Sequence, residues 1–147
     1  MMKKVVAISA IALVLSMAFF VCAEDKCIVS GEVAYSGDEN IYVCLHNQET
    51  FVNWKKEFPP AGFMRIVKAN SSGKASFVFD EIPKGEYLIF SFVDENNNGK
   101  LDCDTEGWPE ELTCTFKPSS IEAGGPNWYG QKFEVDKDIR GIVVGFR

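Results

Sequence analysis

The sequence predicts an all-β chain: a single antiparallel β-sandwich of about seven strands, with one long irregular loop segment. Three observations predict it. Apolar residues recur at every second position along several short runs between residues 27 and 146, the period that puts alternate side chains on one face of a strand. Turn-forming clusters punctuate those runs: Ser36-Gly37-Asp38, Ser71-Ser72-Gly73, Pro83-Lys84-Gly85 and Asp136-Lys137-Asp138. Residues 87–93 are nearly continuously apolar, as a central strand covered on both faces requires.

The chain opens with Lys3 and Lys4, followed by 17 uncharged residues at 5–21. That is slightly long for a signal core and short for a membrane-spanning helix. Val21-Cys22-Ala23 offers small residues where a signal peptidase cuts, which makes residues 1–23 a signal peptide and 24–147 the β-sandwich domain. Lipid attachment at Cys22 ranks second, because Val21 is bulky where a lipoprotein motif wants a small residue, and a retained anchor ranks third. The expected location is therefore periplasmic or extracellular, with membrane contact only through the leader or a lipid on Cys22. Cleavage leaves 124 of the 147 residues, with 13 basic against 21 acidic side chains and a net charge of −8. One domain with a real core fits that length. Such a surface repels nucleic-acid phosphates and attracts divalent cations.

In the domain itself, Val29, Val33 and Tyr35 share one face of the first segment, and Ile41, Val43 and Leu45 one face of the second. Phe77 and Phe79 alternate with Ser76, Val78 and Asp80, and Ile142, Val144 and Phe146 alternate at the end. Ile82-Pro83-Lys84-Gly85-Glu86-Tyr87 reads as a tyrosine corner, in which the Tyr hydroxyl bonds back to the chain upstream of its own strand. Residues 49–62 break the alternation: Phe51, Trp54 and Phe58 sit at helical spacing before a Pro-Pro stop, so a short helix or ordered loop is expected there. Residues 103–130 are rich in Gly, Pro and Trp and hold one credible strand, 112–116. A connection this long needs a pin or a function.

Cysteines offer one pin. With Cys22 removed, Cys27, Cys44, Cys103 and Cys114 remain, and an even count in an exported chain suggests two disulfides with three connectivities open. Cys103–Cys114 is the most local and is worth roughly 3 kcal/mol by chain entropy. Cys27–Cys44 then follows by elimination, although a hairpin turning at Gly37-Asp38 sets Cys44 against Gly31 instead. No CxxC pair is present, which argues against zinc.

A metal is the other pin. Residues 94–102 read DENNNGKLD. Numbered as a calcium-binding loop, Asp94, Asn96 and Asn98 fall at positions one, three and five. Gly99 takes six, the Lys100 carbonyl seven, and Asp102 nine. Position twelve is Thr105, which cannot replace a bidentate carboxylate, so Asp104, Glu106 or Glu110 would have to compensate. The expectation is a structural Ca2+ site of modest affinity, on the order of 10⁻⁴ to 10⁻³ M. The competing expectation is a solvated turn closed by side-chain-to-backbone bonds.

These motifs carry a family resemblance. Phe77-Val78-Phe79-Asp80-Glu81-Ile82-Pro83-Lys84-Gly85-Glu86-Tyr87, the 94–102 loop and Gly107-Trp108-Pro109-Glu110 resemble the bacterial exported family called domain of unknown function 2141. Its members carry F-x-x-L-P-x-G-x-Y, D-x-N-x-N-G-x-L-D and G-x-P-x-E segments, and Pro126-Asn127-Trp128 resembles the approach to its last strands. The resemblance covers most of residues 27–146 and implies export and a transthyretin-like (prealbumin-like) sandwich. Where the family continues G-F-S-N, this chain has Thr113-Cys114-Thr115-Phe116. The resemblance implies no activity.

No motif of a nucleophilic enzyme, a zinc hydrolase or a phosphate-binding loop occurs. His46 is the only histidine and reads as a surface or groove residue. Glu110-Glu111 has nothing to set it across a cleft. Asn70-Ser71-Ser72 fits a glycosylation acceptor but is more simply a turn. Trp108, Trp128 and Tyr129 could form an aromatic platform for a sugar or peptide, against the commoner packing of aromatics beneath loops. The expected role is a non-enzymatic binding or envelope-associated module for an unknown cell-envelope or extracellular ligand, a glycan being the specific version. A secreted hydrolase is the alternative.

Overall fold

The computed structural model describes residues 25–53, 62–117 and 125–146. Residues 1–23, the expected leader with Cys22, and Trp54 and Phe58, lie outside them. Eight strands form among the described residues: β1 Lys26–Ala34, β2 Asn40–His46, β3 Phe63–Val67, β4 Lys74–Pro83, β5 Gly85–Asp94, β6 Thr113–Thr115, β7 Phe133–Val135 and β8 Ile139–Gly145. Two short helices join them, α1 Gln48–Val52 and α2 Trp128–Gln131. One sheet has the order β4-β1-β8, and the larger has β3-β2-β5-β6 with β7 also on β5. Val29, Val33, Ile41, Val43, Phe79 and Ile89 and their neighbours fill the space between the sheets. The predicted all-β sandwich forms.

Two connections differ from expectation. β2 uses one edge for β3 and the other for β5, so none remains for β1. The 36–38 turn therefore arches between sheets instead of closing a hairpin, and Gly31 does not face Cys44. At the other end, the 136–138 turn carries the chain from β7 in one sheet to β8 in the other. There β8 runs parallel to β1, the exception among otherwise antiparallel pairs. Gly31 makes that pairing feasible: a Cβ here would lie 2.1 Å from the Ile142 carbonyl oxygen.

β4 carries a bulge. Cys27 pairs with Ile82 and Val29 with Phe79, so Asp80 and Glu81 together oppose Ile28. The Ile28 N–H goes to Asp138 Oδ1 at 2.8 Å, and Glu81 takes φ 56°. Just beyond, the Tyr87 hydroxyl donates to the Pro83 carbonyl at 2.8 Å, which is the anticipated tyrosine corner. Arg65 ties the neighbouring edges of the two sheets, donating from Nε to the Val78 carbonyl and from Nη2 to Asp80, each at 2.9 Å.

The larger sheet is buried on its outer face too. Tyr42, Leu88, Phe90 and Phe92 form a second cluster, closed by Phe51 of α1 and Trp128 of α2, whose rings lie 5.9 Å apart. Both helices are capped by asparagine: Asn47 Oδ1 accepts the Thr50 N–H at 2.9 Å, and Asn127 Oδ1 the Tyr129 N–H at 3.0 Å. Such caps supply acceptors for backbone donors that short helices leave open.

The cysteines do not pair as expected; all four are thiols. Cys27 faces the interior between the sheets. Cys44 alternates with Val43 and Leu45 and so shares the opposite face of β2 with Tyr42, where burial pushes its thiol up to about 12. A sheet separates the two sulfurs. Cys114 packs against the inner core opposite Ser91, while Cys103 is exposed in a bridge with Pro109.

Two outcomes are expected. Glu81→Gly should stabilise the domain by about 0.5–1 kcal/mol, because glycine takes a left-handed φ without the Cβ clash; equilibrium denaturation measures it. Iodoacetamide applied to the unfolded, unreduced chain should label Cys27 and Cys44, and mass spectrometry showing them linked would contradict the packing.

Candidate functional site

The loop at residues 94–112 leaves the end of β5 and returns to the same strand. Phe92 pairs with Thr113, and the Val93 N–H donates to the Leu112 carbonyl at 2.9 Å. Its two ends are thus held side by side by the sheet. Asp94, nearly fully buried, opens the loop. Its Oδ1 accepts the Asn98 N–H and its Oδ2 the Gly99 N–H, both at 2.9 Å. The reversal needs left-handed backbone, supplied by Asn97 at φ 57° and Gly99 at φ 76°.

The remaining residues of the motif follow one another around the turn. Asn96 Oδ1 accepts the Asn98 N–H at 3.0 Å and Asn98 Oδ1 the Lys100 N–H at 2.8 Å. The amide nitrogens of the same two side chains converge on Asp102 Oδ2, at 2.5 Å from Asn96 and 2.7 Å from Asn98. Hydrogen bonds thus link Asp94 to Asn98, Asn98 to Lys100, and Asn96 and Asn98 to Asp102 within one turn. Two neighbours buttress the turn. The Asn40 amide donates to Asn97 Oδ1 at 3.0 Å, and Leu101 packs into the outer cluster. Among the described residues, no three His, Cys, Asp or Glu side chains are placed to hold a metal. The loop's oxygens come from amides as much as from carboxylates.

Glu111 is the residue that sequence reasoning missed. Its carboxylate is buried and takes two backbone donors across the loop, Glu95 N–H at Oε1 (3.0 Å) and Asp102 N–H at Oε2 (3.1 Å). Of the expected substitutes for Thr105, Asp104 turns to its own bend, accepting the Glu106 and Trp108 N–H groups on Oδ1, and Glu106 and Glu110 are exposed. The signal was present: Glu111 is the last residue of the G-x-P-x-E segment that starts at Gly107. Burial raises its pKa, and the charges of Asp102 and Asp94 add to that, against the two backbone hydrogen bonds that lower it. A native-state pKa above the ordinary glutamate value means the folded protein holds this proton more tightly than the unfolded chain. The associated stability is present below the ordinary value and is lost as pH rises through the raised one.

The aromatic trio is not a platform. Trp128 is buried in the outer cluster, because α2 turns its first residue onto the sheet. Tyr129, 79% exposed, points to solvent beneath the Lys132 ammonium, 6.0 Å from its ring centre. Trp108 is 44% exposed and lies over Gly125, where a Cβ would be 3.4 Å from its ring. His46 is buried rather than in a groove, and burial pulls its pKa down to about 4. Asn70 does form a turn, its Oδ1 accepting from Ser72 N–H, Ser72 Oγ and Lys74 N–H. No helix among the described residues is long and apolar enough to cross a membrane.

Fold and loop define the class: a two-sheet β-sandwich with a glycine-centred loop of Asp and Asn residues between two paired strands. Residues 32–142 match the model of the family described as an uncharacterized protein conserved in bacteria, DUF2141, and the chain belongs to that family. Nothing matches it among curated proteins or solved structures.

Glu111→Ala should destabilise the domain by about 2 kcal/mol, since two backbone donors lose their acceptor. Glu111→Gln, which keeps one oxygen, should cost about half as much, and urea unfolding of both variants reads the difference.

Proposed function

We propose that the protein is an exported, non-enzymatic binding or envelope-associated module whose 94–112 loop is stabilised by Ca2+. The observation that supports the calcium reading is the approach of Asn96 and Asn98 to Asp102 beside the buried Asp94. Two amide N–H groups there supply the partial positive charge that a cation would supply in full. Calcium takes six to eight oxygens in flexible geometry and accepts amide, carboxylate and backbone donors alike, which suits this mixed set better than a site built for zinc. Asp94, Asn96, Asn98, the Lys100 carbonyl and Asp102 are the proposed ligands. Glu111 replaces the missing twelfth-position carboxylate as the group that ties the loop's two limbs. The ion's role would be structural: to hold the start and end of the loop against β5. Export rests on the leader at residues 1–23.

A carbohydrate-binding role is the second reading. It now rests on Trp108 and Tyr129, the two of the three aromatics that remain exposed, without Trp128. A hydrolase would require an activated nucleophile or opposed carboxylates. His46 is buried against Thr50 and Phe51, and the loop carboxylates accept backbone N–H groups.

Millimolar calcium should raise the melting temperature of the chain and EGTA should reverse the shift. Asp94→Ala should lower the starting value, through two lost backbone bonds, and abolish the calcium increment. An unchanged wild-type melting curve would leave the loop as a turn closed by its own side chains. Glycan and peptidoglycan-fragment binding screens, repeated with Trp108→Ala, test the second reading.

A further inference from the structure

His46 is the last residue of β2, and α1 begins two residues later. Its ring is 2% exposed and lies edge-on to Phe51, with centroids 6.1 Å apart and planes at 73°. Its polar contact is Nδ1 to Thr50 Oγ1 at 3.3 Å. Thr50 Oγ1 also lies 3.3 Å from the Asn47 carbonyl, and the direction of the His46–Thr50 bond follows the ring's tautomer. Nε2 has no hydrogen-bond partner among the described residues. Protonation would place a full charge on a ring that is almost entirely withdrawn from water.

Among the described residues, no charge compensates. On α1 the charged residue is Glu49, which is exposed. On β5, Leu88 faces His46, and Glu86, two residues earlier, is paired with Lys132 at 2.6 Å. On β3, Arg65 is committed to Val78 and Asp80. Cys44 and Tyr42, the other titratable groups on this face of β2, are neutral near pH 7 and are pushed further from ionising by burial.

We propose that His46 is an acid-sensitive latch: its protonation releases helix α1 from the outer face of the larger sheet and bares the part of the apolar cluster that Phe51 covers, while both sheets stay folded. The order of events follows from what holds each element. α1 has five residues, one buried side chain and an asparagine at each cap, and a helix so short does not persist without its packing. β2 is paired with β5 along its whole length and with β3 from Ile41 to Leu45. Local opening at α1 is therefore the less costly route by which His46 reaches water. The low native pKa of His46, against an ordinary value near 6.5, places that opening in mild acid.

Hydrogen exchange of the full chain at about pH 7 and about pH 4.5, corrected for intrinsic rates, tests this. The amides of residues 48–52 should exchange roughly tenfold faster or more at the lower pH, with β2 and β5 still protected. His46→Phe, which keeps an aromatic ring on the sheet, should remove the acceleration. Loss of protection in α1 and the strands together, or equal acceleration in His46→Phe, would overturn the proposal. If that variant does not fold, NMR titration of the wild type decides. The His46 ring signal and the 48–52 amides should change together while the β2 and β5 amides hold, and a ring that titrates with α1 undisturbed would refute the latch.

Discussion

Along β5, Tyr87, Ile89 and Val93 face the interior between the sheets, while Leu88, Phe90 and Phe92 face the other way, so both sides of one strand must leave water. A fully buried phenylalanine is worth about 2–3 kcal/mol relative to exposure, and no two-layer sandwich covers the outer row by itself. The chain meets this demand with pieces that are barely helices, α1 and α2, each setting one aromatic ring on the strip. The same demand explains why β2 lies beside β5 and not beside β1. It also explains why Trp128, which could otherwise face a ligand, is part of the core.

The ends of β5 carry the two most organised features of the molecule. At its start the Tyr87 hydroxyl locks the crossover from β4. At its finish Asp94 begins the loop and Glu111 closes it, before β6 returns to the same strand. The loop's order thus comes from the most deeply buried strand of the fold. This is also why its side chains can converge without a disulfide. Glu111 accepts donors from both limbs and does mechanically what a Cys103–Cys114 bridge was expected to do.

Burial explains the departures from simple expectation. His46 and Cys44 sit on the outer face of β2, which would be solvated in a plain sandwich and is dry here because helices cover it. Both therefore have pKa values moved away from their charged forms. The alternation in the sequence correctly placed Val43 and Leu45 inward. It could not show that the alternate positions are buried as well, since nothing in residues 40–46 encodes the helix that lies above them.

The sequence by itself marked most of the strands, though not β3, the places where the chain turns, the tyrosine corner and the left-handed glycine of the 94–102 loop. Each depends on neighbours within a few residues: period-two alternation, Gly99 at a left-handed turn, a tyrosine four residues after Pro83. Only the tertiary structure decided what depends on distant partners. It set the parallel pairing of β8 with β1, the separation of Cys27 from Cys44 by a sheet, and the burial of His46 and Trp128. It also selected Glu111 over Asp104, Glu106 and Glu110 as the carboxylate that closes the loop. In each case the deciding contact joins segments remote in sequence or depends on which face of a sheet is covered, and local patterning carries neither.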